Sequence, residues 1–471
     1  MQDNLLTKLI RDLGKRERRA LLQWVSSPAH NTRADVKRLC DHLCAHTGYG
    51  ETDEPESNLD AQSVSAVVFP PETQKGRPVQ PRQLHDVTSW LLSAAKEWLV
   101  YEAQQNDPTD RQIRLCRTLR RRGCTKLYEQ ETRKLLALPL QAGADAYLQL
   151  YRIRFEAWEA RHRQPGSDAG PLFDAATHFG AFVCISALRH GCAALDKAAD
   201  PLQLDFLPES LALLEAGRYA EIPGAQVYYH CFRLMQRAET RHFYALRDLL
   251  AQHSAAFPPE EIRDVWLVAI NFCIRQVNTG ERAVWTQEAL NLYKQGLDLE
   301  VIMENGRLSR ATYYNILLLA VSTGAWEWAW DFLHQYRKNL APGEQHTGFH
   351  FGLATWHFRR REYDAAQDIL RSVEFRDAGM NLDARRMLVR IYFDRNELEA
   401  LDALLHSFRI YLQRHRNIGY HKDLNLNFLR MVNQLIRLEP GDSAGRRKLA
   451  QKIRELPMLA EREWLLEKSE Q

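Results

Sequence analysis

Signals for β-strands are almost absent from this sequence. Few segments alternate apolar and polar residues with a period of two, and runs of β-branched residues are short. Apolar residues recur instead at spacings of three and four along most of the chain, as at Leu6, Leu9 and Leu13. These patterns exclude a sheet-based fold and predict an all-α protein.

The chain also lacks an excess of charge of either sign. Its 471 residues include 63 Lys and Arg against 60 Asp and Glu, which gives a formal net charge of +3. A dedicated nucleic-acid-binding protein usually shows a clear basic excess. Nucleic acid is therefore a disfavoured partner, although a local basic patch remains compatible with this balance.

No segment has the pattern of a secretory signal or a membrane span. The chain reaches Arg16 without an apolar run of signal length. The most apolar stretch, 311–330, contains Asn315 and Gly324, so we predict that it forms two short helices. The eight cysteines lie mostly in apolar helical runs, as is typical of reduced, buried thiols. We expect a cytoplasmic protein without membrane contact.

Motifs for catalysis or cofactor binding are missing as well. The sequence contains no glycine-rich phosphate loop, no GxSxG motif and no carboxylate pair in a recognisable frame. We therefore predict no cofactor and no catalytic residue. An enzyme with an unrecognised site between its domains is the remaining alternative of this class.

Proline and glycine mark the organisation of the chain. An irregular, proline-rich segment is expected at about 48–83, and a short apolar piece at 64–69 within it is expected to pack back on the domain. A long helix is predicted from about Leu84 to Gln105, and Asp107-Pro108 ends it. These signals predict an N-terminal helical domain over 1–107 and a helical-repeat region over 108–471.

A repeating triplet indicates the architecture of the second region. Trp326, Ala329 and Leu333 are repeated as Tyr363, Ala366 and Leu370, and less well as Leu398, Leu401 and Leu405. A tetratricopeptide unit is a helix pair of about 34 residues, in which a small residue of the second helix lets the first approach closely. The predicted fold is an α-α superhelix of tetratricopeptide-like (TPR-like) units at 310–343, 347–380 and 382–415, with a C-terminal cap at 445–471.

Several motifs resemble those of an uncharacterised family of bacterial TPR-like proteins. They are LGKRE at 13–17, SPAHN at 27–31, FPP at 69–71, YNI at 314–316 with Ala329, LHSFRIYL at 405–412 and EWLLEK at 463–468. The resemblance covers nearly the whole chain and implies a helical solenoid. It implies no activity and transfers no catalytic residue.

Two histidine-containing patterns suggest metal ligands. In the first, Cys40 and Cys44 are expected on one helix face and His42 and His46 on another, since each residue turns a helix by about 100°. We interpret them as core thiols and exposed imidazoles. In the second, His346 and His350 are spaced like paired ligands but have no evident third ligand, so we interpret them as helix-face histidines.

The densest basic run offers an anionic partner a surface. Its residues are Arg111, Arg114, Arg117, Arg120 and Arg121. The first four share a helical face, which is a geometry that can bind phosphates. The competing interpretation is a solvated face whose charge is offset by acids such as Glu129 and Glu131.

The repeats place another set of residues on the groove side of their first helices. The set comprises Tyr314, Leu318, Phe351, Phe358, Arg359, Arg386, Arg390 and Phe393. Aromatic anchors with arginines suit a peptide that carries a carboxylate, which favours a protein-interaction scaffold with another protein as partner. The alternative is that these aromatics fill a tightly wound superhelix while the arginines pair with Asp383 and Asp394.

Overall fold

The chain is helical throughout the part that its computed structural model describes. That part comprises residues 4–47, 59–71, 80–137, 142–162, 168–277, 280–375, 377–415, 419–439 and 441–470. These residues form 23 α-helices and no β-strand, and 79% of them are helical. The prediction of an all-α protein is confirmed.

The first of two compact units comprises Met1–Leu140 and Asp145–Gly180. Its helices are α1 Leu5–Asp12, α2 Lys15–Ser26, α3 Ala34–His46, α4 Ala61–Val68, α5 Pro81–Asn106, α6 Pro108–Arg121, α7 Thr125–Leu136 and α8 Ala144–Arg161. The apolar stripe of α1 is buried, and Leu6 and Ile10 are fully covered. Val64 and Val68 of α4 join the same core, as the sequence predicts, whereas residues 48–58 and 72–79 of the predicted irregular segment lie outside the described residues.

The predicted domain boundary at 107/108 differs from the division that the structure shows. The helices of 108–161 belong to the first unit, because α5 leads directly into α6 and packs against it. Asp107 accepts a hydrogen bond from the backbone N–H of Asp110 at 2.8 Å, and Pro108 is the first residue of α6. An N-cap followed by proline begins a new helix as readily as it ends a domain.

The second unit comprises Gln141–Ala144 and Ala181–Gln471. Its helices are α9 Gly170–Asp196, which begins in the first unit, α10 Leu207–Glu215, α11 Pro223–Arg237, α12 Thr240–His253, α13 Pro259–Val277, α14 Arg282–Asp298, α15 Arg310–Ser322, α16 Trp326–Tyr336, α17 Gln345–Arg359, α18 Tyr363–Ser372, α19 Ala378–Asp394, α20 Leu398–Arg414, α21 His421–Ile436, α22 Ser443–Glu455 and α23 Arg462–Glu470. From α11 to α20 the helices pack in consecutive pairs. We call the first helix of each pair helix A and the second helix B.

Small residues allow the helices of the predicted repeats to pack closely. Ala329 and Ala366 are fully buried, as the repeat pattern predicts. A side chain on Gly352 of α17 would place its Cβ only 2.7 Å from a methyl carbon of Leu333 in α16. Within the three predicted repeats, successive helices A also contact one another, since α15 packs on α17 and α17 packs on α19. One face of the unit is therefore built from successive helices A.

The turns between helix A and helix B share one geometry. Gly324, Arg361 and Asn396 each lie two residues before helix B, with φ of 75°, 63° and 57°. In each turn the following N–H donates to a carbonyl oxygen five residues earlier, as Glu362 does to His357 at 3.0 Å. The left-handed conformation favours glycine and is tolerated by asparagine, so an arginine at this position is held against its backbone preference.

One helix, α9, is long and apolar enough to cross a membrane by length and composition, and a third of its most apolar window is buried. The stretch 311–330 instead forms parts of α15 and α16, as predicted. All eight cysteines are free thiols.

Candidate functional site

The predicted groove residues lie on the helix A face of the second unit. Tyr314 and Leu318 are on α15, Phe351, Phe358 and Arg359 are on α17, and Arg386, Arg390 and Phe393 are on α19. The rings of Tyr314 and Phe351 are 5.1 Å apart, and the Arg390 guanidinium lies 4.8 Å from the Phe358 ring. The structure therefore brings most of this set together. Leu318 is half-buried and makes no such contact in the described structure.

Two of the predicted arginines bind a carboxylate from the C-terminal segment of the same chain. Arg390 Nη1 lies 2.8 Å from Glu461 Oε2, and Arg386 Nε lies 3.3 Å from Glu461 Oε1. Arg386 also pairs with Asp383, and burial raises the pKa of Asp383 despite that pairing. The predicted pairing of an arginine with Asp383 is confirmed, whereas Glu461 was absent from the prediction.

Aromatic contacts continue from Glu461 along α23. The Trp464 ring meets the Phe393 ring edge-on at 5.3 Å, and Arg390 lies between the Trp464 and Phe358 rings. One turn further, Lys468 Nζ is 3.0 Å from Asp394 Oδ1. The predicted partner of Asp394 was an arginine of the groove, and the structure places a lysine of α23 there instead.

Burial changes the role of the predicted aromatics. Phe351 and Phe358 are only 3% and 5% exposed, so they support the helix A face from below and do not offer it a free surface. Tyr314 is half-buried, and this burial raises its pKa to about 12. Trp464, Leu465 and Leu459 of the predicted cap are buried, as the sequence predicts.

A cavity of about 510 Å³ lies among α9, α11 and α13, which sequence reasoning missed. The Tyr228 hydroxyl donates a hydrogen bond to Glu261 Oε1 at 2.9 Å. Burial is the main cause that raises the pKa of Tyr228, and the negative charge of Glu261 adds to it. The Sγ atoms of Cys192 and Cys231 are 3.8 Å apart at the same cavity. No local motif indicates this site, because its lining comes from three helices that are distant in sequence.

The basic run on α6 is largely neutralised by acids of its own unit. Arg120 binds Glu156 and also Glu159, the latter at 2.6 Å, and Arg117 lies 3.6 Å from Glu156. Arg114 pairs with Asp110 at 2.5 Å. Glu156 is 4% exposed, so this charge is compensated inside the unit.

The acids that offset this run differ from those predicted. Glu131 binds Lys134 and Gln112 and makes no ion pair with the run. Arg111 donates a hydrogen bond to Gln105 at 2.7 Å. Arg121 is exposed and makes no side-chain hydrogen bond or ion pair within the described residues. The interpretation as an offset face holds for the charge, but the partners of Arg117 and Arg120 are Glu156 and Glu159 of α8, which no local spacing indicates.

We expect Arg120→Ala to lower the free energy of unfolding by about 2 kcal/mol, because it leaves the buried Glu156 carboxylate with only the more distant Arg117. Urea denaturation measures this change. Arg121→Ala is the matched control, since it removes an exposed neighbouring arginine and should change stability by less than about 0.5 kcal/mol. Equal effects of the two changes would refute the assignment.

The arrangement of their described neighbours shows whether the two histidine patterns have a metal-binding geometry. Among the described residues, no group of three or more His, Cys, Asp or Glu side chains is placed to hold a metal ion. The rings of His42 and His46 are 4.3 Å apart and tilted by 30°, on a side of α3 separate from the Cys40 and Cys44 thiols. His42 is buried, so its predicted exposure was wrong. The buried face of α3 is wide enough to include His42 beside Leu39 and Leu43.

The second pattern, His346 and His350, lies along one face of α17. The two rings are 4.3 Å apart, and His350 Nδ1 lies 2.8 Å from the carbonyl oxygen of His346. A side-chain contact with the preceding turn is typical of a helix-face histidine, as predicted.

Comparisons of this chain with protein-family models, with curated protein sequences and with solved structures found no match.

Proposed function

We propose that this protein is a non-catalytic, cytoplasmic interaction scaffold whose TPR-like superhelix binds a peptide or helix of another protein on its helix A face. Support for the TPR-like arrangement comes from the packed pairs, their shared turn geometry and the contacts between successive helices A. The resemblance of the sequence motifs to the bacterial TPR-like family agrees with it.

The observation that carries this proposal is the position of α23 on the helix A face. Trp464 and Lys468 are four residues apart on α23, which places them on one side of that helix, and Glu461 lies directly before it. These three residues contact Arg386, Arg390, Phe393 and Asp394 of α19. The chain therefore contains an example of a helix bound in a groove through a carboxylate and an aromatic anchor.

The backbone of Glu461 supports a specific role for its carboxylate. Glu461 has a φ of 54°, in the left-handed region that costs a non-glycine residue roughly 1 kcal/mol or more. The two arginine contacts offset this cost. The arginines and aromatic rings of this face thus bind an acidic residue that precedes an aromatic residue in the sequence. We infer that a partner binds through the same two kinds of residue.

Weakening the contacts between α23 and α19 tests the proposal. Trp464→Ala removes the buried aromatic anchor, so α23 should loosen and leave its place on α19 accessible. We expect a fluorescein-labelled synthetic peptide with the sequence of residues 459–470 to bind this full-length variant more tightly than the wild type. The same peptide should raise the melting temperature of the variant, since a ligand of the folded state stabilises it.

Two controls make the result specific. Glu461→Arg should loosen α23 independently, because it opposes Arg386 and Arg390. A peptide whose Trp464 is replaced by Ala should bind neither variant. If both variants remain folded by circular dichroism and neither gains peptide binding, the helix A face is no docking groove and the proposal fails.

The alternative of a nucleic-acid-associated protein has less support. Four of the five arginines in the basic run already have partners within the first unit, so few cations remain for phosphate contacts.

A further inference from the structure

Two exposed arginines separate two concavities next to the α23 position. Arg359 ends α17, and Arg361 lies in the turn that follows it. Both line a cavity of about 450 Å³, where Tyr363 and Trp464 also lie. Both also line a shallow depression of about 810 Å³ with Trp326 and Trp328 of α16. We call Arg359 and Arg361 the arginine ridge.

The arginine ridge carries the uncompensated positive charge of this region. Neither Arg359 nor Arg361 makes a side-chain hydrogen bond or ion pair within the described residues. Arg360 between them is engaged, since its Nε is 2.7 Å from Glu362 Oε1 and its guanidinium covers the Trp356 ring at 4.5 Å. Two guanidinium groups are therefore available to one anionic group.

The backbone of Arg361 gives an independent indication that its side chain is used. It has a φ of 63° at the position that Gly324 and Asn396 occupy in the neighbouring pairs. Glycine and asparagine fit this left-handed turn with less strain than arginine does. The turn between α17 and α18 thus has a charged side chain at a position where glycine or asparagine would be less strained.

We infer that the arginine ridge binds an acidic segment of a partner protein that also carries an aromatic residue, an inference that rests on the proposed scaffold function. Its carboxylate binds Arg359 and Arg361, since guanidinium groups bind carboxylates through paired hydrogen bonds. Its aromatic residue packs against Trp326 and Trp328 in the adjoining depression. The pairing repeats, one helix pair earlier, the chemistry by which α19 holds Glu461 and Trp464.

Full-length wild-type protein, with α23 in place, is the material for the test. The probe is the fluorescein-labelled peptide of residues 459–470, which contains Glu461, Glu463 and Trp464. Fluorescence anisotropy should show binding to the wild type. We expect the variant Arg359→Ala with Arg361→Gly to bind the peptide about tenfold more weakly or worse, because it loses the charge-assisted contacts.

This variant separates binding from folding. Arg361→Gly relieves the left-handed strain, so the variant should be at least as stable as the wild type while its binding is lost. The matched control is Arg371→Ala with Arg409→Ala, which removes two exposed arginines from helices B and should leave binding unchanged.

Three results would overturn the inference. The first is that the ridge variant binds the peptide as tightly as the wild type does. The second is that the wild-type protein binds a peptide with Glu461 and Glu463 replaced by Gln, or with Trp464 replaced by Ala, as tightly as it binds the unchanged peptide. The third is tighter binding of a labelled single-stranded oligonucleotide to the same ridge, which would change the class of partner. In any of these cases, tighter binding of the peptide by the Trp464→Ala protein than by the wild type would leave the scaffold function intact.

Discussion

Replacing both Arg386 and Arg390 by Ala should lower the free energy of unfolding by about 3 kcal/mol. The change leaves the Glu461 carboxylate without either of its cations, and it leaves the largely covered Asp383 without Arg386. Arg390 also fills the space between the Phe358 and Trp464 rings, so packing is lost together with charge. Chemical denaturation followed by circular dichroism measures the difference.

Adding Glu461→Gln to this double variant identifies the cause. The neutral amide needs no cation, so we expect the triple variant to recover part of the lost stability, as a double-mutant cycle requires for coupled groups. An unchanged denaturation midpoint in the double variant would show that the α23 contacts carry no stability. A loss without any recovery would assign the effect to packing alone.

Acidification should destabilise the second unit through two histidines on α11 and α12. His230 Nδ1 and His242 Nδ1 are 2.9 Å apart, so the pair is stable when one ring donates and the other accepts. Burial, then the charge of His242 and Arg241, lowers the pKa of His230 to about 4, and burial together with Arg241 lowers the pKa of His242. Both shifts favour the neutral rings in the folded state.

The stability from this pair is present in full above about pH 6.5, where the unfolded imidazoles are neutral too. As the pH falls from about 6.5 towards 4, the unfolded chain binds protons that the folded chain rejects, and we expect a loss of about 2–3 kcal/mol. Urea denaturation at several pH values measures it. His230→Asn should flatten this dependence, whereas His346→Asn, on an exposed helix face, should leave it unchanged.

Helix periodicity allowed most of the fold to be predicted. The triplets beginning at Trp326, Tyr363 and Leu398 begin helices B at those same residues, because the aromatic or large apolar residue follows directly on the turn. The domain boundary was less accessible to prediction. Asp107-Pro108 ends one helix and begins the next with the same two residues, so the local signal cannot distinguish a kink between packed helices from a linker.

The candidate site was predicted in part. Spacing along α15, α17 and α19 placed the groove residues on one face, because side chains three and four residues apart share a side of a helix. The same spacing gave no information on depth, so it left open whether Phe351 and Phe358 line the groove or fill the superhelix, and the structure shows that both are buried. Their burial depends on how the neighbouring helix pair packs, and the periodicity within one helix contains no information about that packing.

The helices and the packing of consecutive helices in pairs could be predicted from the sequence, since both follow from contacts between residues close in the chain. What covers the helix A face depends instead on contacts between residues far apart in the chain. Glu461 lies 71 residues beyond Arg390, and Glu156 lies 36 residues beyond Arg120. Charges pair across such distances according to where the packed helices bring them, and no local pattern records which of several acids that will be. The same packing leaves Arg359 and Arg361 without a partner among the described residues.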